Sequence, residues 1–204
     1  MSASVGGVDV SRETIERLET HLSLLRKWTQ KINLVASGSV KDGWTRHIED
    51  SAQLFPLIPE EAKTLADFGS GGGFPGVVLA ILARDLRPDL DVILVESDAR
   101  KAAFLRTVLN ETEVEAELHV ERILDLAPVL TDVMTARALA PLEQLCAVAE
   151  HHMASEGTAI LPKGRNAEDE IETALERWTF ACEKIPSRTD DDAVILKLRD
   201  IHRA

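Results

Sequence analysis

The residues with the most chemistry in this sequence lie between positions 67 and 96. The run Asp67-Phe68-Gly69-Ser70-Gly71-Gly72-Gly73-Phe74-Pro75-Gly76 places four glycines within five residues, directly after an apolar stretch. Glycine lets the chain turn sharply and lets a ligand come within contact of the main chain. A helix starting there offers unpaired N–H groups and the positive end of its dipole. Glu96 follows 20 residues beyond Gly76. A carboxylate that closes the next strand can accept both hydroxyls of a ribose at the crevice of an open α/β sheet. Gly71-Gly72-Gly73-Phe74-Pro75-Gly76 also satisfies the GxGxxG pattern, so an NAD-dependent oxidoreductase is a competing reading. Asp67 counts against it, because a carboxylate two residues before the first glycine would face a diphosphate, whereas it suits a cationic amino-acid group. Asp67, Gly69, Gly71, Gly73 and Glu96 together suit S-adenosyl-L-methionine, which has a ribose and an ammonium group and no phosphate.

Those residues need a strand before the turn and a helix after it, and the pattern supplies both. Thr64–Phe68 reads as a short apolar strand, and Val77–Leu86 as an apolar helix with Pro75 in its first turn, where no N–H donor is needed. Asp91–Val95 is the next strand, ending at Glu96, and Ala99–Leu109 the next helix. Strands are expected at 118–120, 132–135, 158–161 and 193–198, and helices at 142–151 and 167–178. Strands alternating with helices predict a doubly wound, parallel α/β sheet. The first part of the chain has a different texture. Residues 1–10 read as a loose tail. Ser11 is a plausible N-cap, and Ile15, Leu18, Leu22, Leu25, Trp28 and Ile32 recur at helical spacing. After Ala-Ser-Gly-Ser at 36–39, a second helical pattern carries Trp44, Ile48 and Leu54 and ends near Pro56 and Pro59. The expected organisation is a helical cap over 1–60 and a cofactor-binding α/β domain over 61–204.

With 204 residues, 45% of them hydrophobic, the chain can bury a real core. Its 35 Asp+Glu against 23 Lys+Arg give a formal charge of −12, which argues against a general nucleic-acid coat protein and leaves room for a local basic face. Two distant cysteines, Cys146 and Cys182, make a disulfide framework or a structural zinc site improbable on spacing alone and fit a reducing compartment. No basic segment leads into an apolar run at the start, and no stretch approaches ~18 apolar residues, so the expectation is a soluble, cytoplasmic protein.

The glycine run, with three further segments in the same order, resembles the RsmG (GidB) family, bacterial methyltransferases of small-subunit ribosomal RNA. Leu25-Arg26-Lys27-Trp28 through Ile32-Asn33-Leu34 is similar to the family's KWNxxxNLT stretch, and Arg46-His47-Ile48-Glu49-Asp50-Ser51 to its RHIxDS motif. Val95-Glu96-Ser97 through Lys101, Phe104 and Leu105 is similar to its ES…KxxFL segment. Ala136-Arg137-Ala138 stands where the family has SRA, and Leu161-Pro162-Lys163-Gly164 where it has a lysine-glycine turn. The likeness spans about residues 20–165. Val35 replaces a threonine and Ala136 a serine, which removes a hydroxyl from that position.

The resemblance implies a Rossmann-like, seven-stranded methyltransferase fold with an N-terminal helical extension. It implies S-adenosyl-L-methionine as cofactor and transfer of its methyl group to N7 of one guanine in the decoding-region loop (the 530 loop) of 16S rRNA. Cofactor contacts carry over to Gly69, Phe74 and Arg137, adenine contacts to Ile123 and Leu124, and the ribose to Glu96. No general base is expected, since guanine N7 has a lone pair and no proton; Arg46, His47 and Arg137 are candidates for positioning the substrate. Residues 11–48 contain seven Lys and Arg, including Lys41, against four Asp and Glu. Arg26, Lys27, Arg46, His47, Lys163, Arg165 and Arg188 are therefore candidates for RNA contact on an acidic body. The expected partner is 16S rRNA within a small-subunit particle, with no membrane and no metal, and the chain is expected to be a monomer. A methyltransferase of the same fold acting on a small molecule or protein is the alternative. For Asp50 an ion pair with Arg46 four residues away stands nearly level with a site role; His151 and His152 are expected to decorate a helix end, and Cys146, Trp28 and Trp44 to pack.

Overall fold

The computed structural model describes residues 3–36, 38 and 42–204; Lys41 and part of the break expected at 36–39 lie outside the described residues. Residues 3–10 are no loose tail. Strands β1 (Ala3–Val5) and β2 (Val8–Val10) form an antiparallel hairpin around Gly6-Gly7, both at positive φ. A two-residue turn of that kind is the glycine-rich hairpin connection, and the alternation that buries Val5 and Val10 is too short to signal a strand by itself. Helix α1 (Arg12–Thr29) starts where Ser11 caps it, its side chain accepting from the Thr14 N–H at 3.1 Å. It ends with Arg26 and Lys27 in its last turn, three residues before Ile32. Its buried stripe is Leu18, His21, Leu22 and Leu25, and Trp28 meets the edge of Phe104 at 5.7 Å. Residues Trp44–Glu49 then wind as a π-helix that passes into the short helix α2 (Asp50–Ala52).

The sheet follows: β3 (Thr64–Phe68), α3 (Gly76–Leu86), β4 (Asp91–Val95), α4 (Ala99–Thr112), β5 (Glu117–His119), β6 (Thr131–Thr135), α5 (Leu142–His152), β7 (Met153–Lys163), α6 (Ala167–Leu175), β8 (Trp178–Pro186) and β9 (Val194–Arg203). Seven strands lie in the order β5-β4-β3-β6-β7-β9-β8. Five are parallel; β9 runs antiparallel to β7, and β8 antiparallel to β9. The wholly parallel sheet predicted from the pattern thus gives way at one edge. The seven residues between β8 and β9 are too few for a parallel crossover and enough for a hairpin. Strand β8 hides from pattern reading because it is an edge: Thr179, Glu183 and Lys184 are exposed along it, and its Trp178 looks like the end of the preceding amphipathic helix.

Strand alternation divides the core in two. Leu65, Leu94 and Val133 face α1, α3 and α4, joining Leu18, Leu25, Leu79 and Phe104 in one cluster. Ala66, Phe68, Val95 and Met134 face the other way, against α5 and α6 with Leu142, Cys146 and Ile171. The cap residues Leu18, Leu22, Ile48 and Leu54 belong to the first cluster, so α1 is seated directly behind the glycine-rich turn. Among the described residues, no helix is long and apolar enough to cross a membrane.

Candidate active site

The turn after β3 lies at the carboxyl ends of the parallel strands, where open α/β sheets take their ligands. Gly69 and Ser70 donate their N–H groups to the Val95 carbonyl at 2.8 and 3.1 Å, which ties the turn to β4. Gly69, Gly71 and Gly73 all hold positive φ, at 74°, 52° and 85°. Glu96 sits beside them, 7% exposed. Its Oε2 accepts from the Gly71 N–H at 2.9 Å and its Oε1 from the Asp98 N–H at 2.8 Å. Each oxygen keeps a second lone pair. A Cβ at Gly71 would meet nothing nearer than the Gly69 carbonyl at 3.6 Å and Glu96 Oε2 at 4.0 Å, so the space over this backbone is open. An aimed, fixed carboxylate beside an open backbone cradle fits the ribose of S-adenosyl-L-methionine.

Asp67 is placed differently from expectation. It does not face the cleft; it is fully buried beneath the turn. Its Oδ1 accepts from the Thr135 hydroxyl at 2.9 Å and its Oδ2 from the Gly76 N–H at 3.1 Å. Burial pushes its carboxyl up to about 6, against the opposing pull of Ser70, Thr135 and Gly76. Its work is to brace the turn and cap the start of α3. Gly76 must be glycine for this: a Cβ there would lie 2.6 Å from Asp67 Oδ2. The same contact speaks against a dinucleotide. A diphosphate would need the N–H groups that open α3, and Asp67 already occupies the first of them.

Phe74 points away from the open side of the turn. It is 4% exposed and stacked between His21 at 4.7 Å and His47 at 4.8 Å, with the Arg137 guanidinium 5.1 Å from its ring. The contact expected of Phe74 is therefore indirect: it fixes the turn by packing. Arg137 leaves the end of β6 and is followed by Ala138, whose φ of 52° turns the chain abruptly. Its Nη1 donates to the Arg46 carbonyl and to Asp50 Oδ2, both at 3.0 Å, and its Nη2 lies 3.1 Å from His47 Nδ1. A guanidinium can only donate, so His47 accepts at Nδ1. Burial and then the Arg137 charge lower His47 to about 4, leaving a neutral ring. Asp50 thus pairs with Arg137 and not with Arg46, whose backbone carbonyl accepts from the same guanidinium. Asp50 Oδ1 accepts in turn from the Thr189 hydroxyl at 2.8 Å, and Gln53 Oε1 accepts from the Arg188 N–H at 2.7 Å. The β8–β9 connection is pinned in this way against the cap.

Beside Arg137 lies a cavity of about 510 Å³, lined by Arg46, Asp50, Leu139, Lys163, Glu170 and Thr189 among others. A purine fits such a volume. A smaller one, about 260 Å³, lies between Lys31, Asn33, Asp98, Arg100 and Lys101. A larger one, about 1040 Å³, opens between Arg84, Arg87, Glu113 and Glu117 and includes no residue of the glycine turn. It lies toward the opposite strand ends, away from the groups that could do chemistry.

The basic candidates separate. Arg26, Lys27 and Arg46 are exposed on the cap. Arg165 is open to solvent, 3.9 Å from Asp192, and Arg188 is exposed with its guanidinium over Gly7. Lys163 is a correction. Its side chain is 8% exposed, and its Nζ donates to Glu170 Oε2 at 2.7 Å and to the Ala140 carbonyl at 3.0 Å. It is spent inside the fold rather than on a phosphate, because Glu170 projects from α6 against the turn after β7. Ile123 and Leu124 lie on the loop after β5, which starts beside the site: Glu96 donates its N–H to the His119 carbonyl at 3.1 Å. Leu124 is 71% exposed, and Leu130, further along the same loop, is 65% exposed. His152 is no surface decoration; it is fully buried, with Nε2 donating to the Ile123 carbonyl at 2.9 Å. Pattern reading also misses His21, Thr135, Gln53 and Thr189. His21 had a signal, since it lies three residues after Leu18 and four before Leu25 on the apolar stripe. The others are united only by tertiary folding.

A sequence model of the GidB family, described as rRNA small subunit methyltransferase G, matches residues 14–191. The "Ribosomal RNA small subunit methyltransferase G" of Ruegeria sp. (strain TM1040) is 48% identical over 196 residues, 96% of this chain and 95% of that one. The protein of the same name from Paramagnetospirillum magneticum is 48% identical over 194 residues, 95% of this chain and 92% of its own. Among solved structures, the O-methyltransferase TomG of Streptomyces achromogenes, in complex with SAM, superposes with a TM-score of 0.58 at 17% identity, covering 94% of this chain and 91% of its own. The ribosomal protein L11 methylase of Lactobacillus delbrueckii subsp. bulgaricus gives 0.58 at 18% identity over 78% of each chain. These two likenesses show a shared methyltransferase fold. The extent and level of sequence identity show more: the chain belongs to the GidB family, the small-subunit ribosomal RNA methyltransferases G.

Proposed function

We propose that the protein transfers a methyl group from S-adenosyl-L-methionine to N7 of one guanine in the decoding-region loop of 16S rRNA, acting as a monomer on a cytoplasmic small-subunit particle. The observation that carries this reading is the juxtaposition of two half-sites at one end of the sheet. Glu96 and the glycine turn make a cofactor cradle, and Arg137 with Arg46 and Asp50 makes the wall of a neighbouring purine-sized cavity. When bound, the cofactor supplies a methyl group already activated by its sulfonium centre. Glu96 would hold the ribose through the lone pairs not used by Gly71 and Asp98. Gly69 and Gly71 would approach the cofactor with bare backbone, and Leu124 would cover the adenine.

None of these residues has to move a proton, because guanine N7 carries none. His47 suits that role by being neutral and fixed. What the chain contributes is alignment: Arg137, locked to Arg46, His47 and Asp50, sets the wall against which the base would rest. Orientation of this kind is worth up to ~7–11 kcal/mol of barrier. Arg26, Lys27, Arg46, Arg165 and Arg188 would meet phosphates, while the net charge of −12 repels nucleic acid that does not fit.

The test is incorporation of labelled methyl groups from S-adenosyl-L-methionine into small subunits lacking the modification, in parallel with naked 16S rRNA, followed by cleavage at 7-methylguanine. One labelled guanine in the decoding-region loop is the expected result. Cofactor binding without incorporation into either substrate would leave the fold and cofactor standing and transfer the activity to a small molecule or protein.

A further inference from the structure

Two buried histidines lie outside the machinery described so far, one on each face of the sheet. His21 projects from α1 into the core shared with α3 and α4, and His152 ends α5 on the opposite side. Both are 0% exposed. His21 Nε2 is 2.8 Å from the carbonyl of Gly72, in the glycine turn, and His152 Nε2 is 2.9 Å from the carbonyl of Ile123, in the loop after β5. A carbonyl only accepts, so each ring carries its proton on Nε2. Each ring also rests on a phenylalanine, His21 on Phe74 at 4.7 Å and His152 on Phe68 at 4.8 Å. In both, Nδ1 is buried with no partner among the described residues. Packing alone does not call for that arrangement, since an apolar side chain would fill the space without stranding an acceptor. What an apolar side chain lacks is the Nε2–H. The fit is close on the glycine side, where a Cβ at Gly73 would lie 2.9 Å from His21 Nε2.

We propose that His21 and His152 are positioning residues that hold the two loops flanking the cofactor, the glycine turn from one face of the sheet and the 122–126 loop from the other. This rests on the reading of the cleft as a S-adenosyl-L-methionine site. The two loops border Glu96 from both sides: Gly71 donates to its Oε2, and its own N–H reaches the His119 carbonyl from which the second loop departs. Fixing both carbonyls fixes the width of the cleft. Without His21 the Gly72 carbonyl is buried and unpaired, and the turn relaxes to find another donor.

Phe and Gln variants separate the donor from the ring. His21→Phe and His152→Phe keep an aromatic ring and remove the donor, whereas His21→Gln and His152→Gln keep an N–H donor and remove the ring. Isothermal titration with S-adenosyl-L-methionine is expected to show about tenfold weaker binding for each Phe variant, with the Gln variants within about threefold of wild type. Phe variants that bind as tightly as wild type, or Gln variants that lose as much as Phe, would overturn the assignment. A second measurement needs no variant: two-bond ¹H–¹⁵N spectra of the wild-type protein should show both rings as Nε2–H tautomers whose Nε2 signals shift when the cofactor is added. Nδ1–H tautomers or unmoved signals would overturn it equally. Wild-type protein that fails to bind the cofactor at all would instead bring down the reading of the cleft, and this inference with it.

Discussion

The two halves of the cleft are built from different materials. On the side proposed for the cofactor the groups are backbone N–H donors and one fixed carboxylate, linked within a short stretch of chain: Gly69 and Ser70 to Val95, Gly71 to Glu96, Gly76 to Asp67. On the substrate side they are side chains from remote segments, with Arg137 reaching back 87 residues to Asp50, and Thr189 reaching 139 residues to the same carboxylate. A cradle made of backbone is set mainly by local hydrogen bonds, with His21 and His152 as its proposed props from outside. A wall made of crossing side chains stands only while the cap, β6 and the β8–β9 connection keep their relative places.

The largest expected effect probes the first half. Glu96→Ala removes the proposed ribose acceptor and the partner of the Gly71 and Asp98 N–H groups; affinity for S-adenosyl-L-methionine should fall by about 100-fold or more by calorimetry. A change under about threefold would mean that the backbone cradle does not need its carboxylate, and the contrast between the halves would lose its first term. Arg137→Ala probes the second. It should lower kcat/KM for RNA methylation about 10- to 100-fold while cofactor affinity stays within about threefold. Equal losses in both would merge the two halves into one unit.

Groups around the cleft also titrate in opposite senses. His21 and His47, between cap and turn, are lowered to about 4 from 6.5, while Asp67, beneath the turn, is raised to about 6 from 3.8. Between pH 4 and 6 the unfolded chain binds two protons on the histidines that the folded chain refuses, and the folded chain binds one on Asp67 that the unfolded chain lacks. Stability should therefore rise with pH through this window, by about 1.4 kcal/mol per pH unit for the one net proton of these three groups, and His152, lowered by its burial, adds in the same sense. The histidine contribution is complete above 6.5 and lost toward 4; the Asp67 contribution is complete below 3.8 and lost as pH climbs through 6. Asp67→Asn removes the opposing proton, and thermal melts across the window should steepen. A flatter dependence in that variant would reverse the assignment. The smallest effect belongs to the outer surface: Lys27→Ala should raise KM for the RNA about two- to threefold at low salt and leave it unchanged at high salt.

The contrast also explains what could be seen in the sequence. The glycine turn and the carboxylate at the end of β4 are legible as neighbours because they are close together in the chain and their types are dictated by backbone geometry. Asp67 was legible as important and misassigned, because spacing does not reveal that its carboxylate folds under the turn toward Gly76. Lys163 looked like a surface cation for the same reason, and its partner Glu170 lies on the next helix. The histidines were harder still. A buried histidine has no spacing rule, and its value lies in a carbonyl that only the folded chain brings near. Strand β8 escaped because an edge strand exposed along most of its length resembles the end of an amphipathic helix.

The π-helical winding of Trp44–Glu49 has a consequence for how this protein tolerates changes of length. Surface segments between elements usually accept the gain or loss of a residue, and this one joins α1 to the sheet near the outside of the molecule. A π-helix holds an extra residue in its turn and relaxes readily to an α-helix when that residue is removed. Deleting one residue there should leave an α-helical turn with the residues after it near their present phase, because the π turn holds one residue more than an α turn needs. The segment thus has room to lose one residue while Asp50 keeps its place beside Arg137.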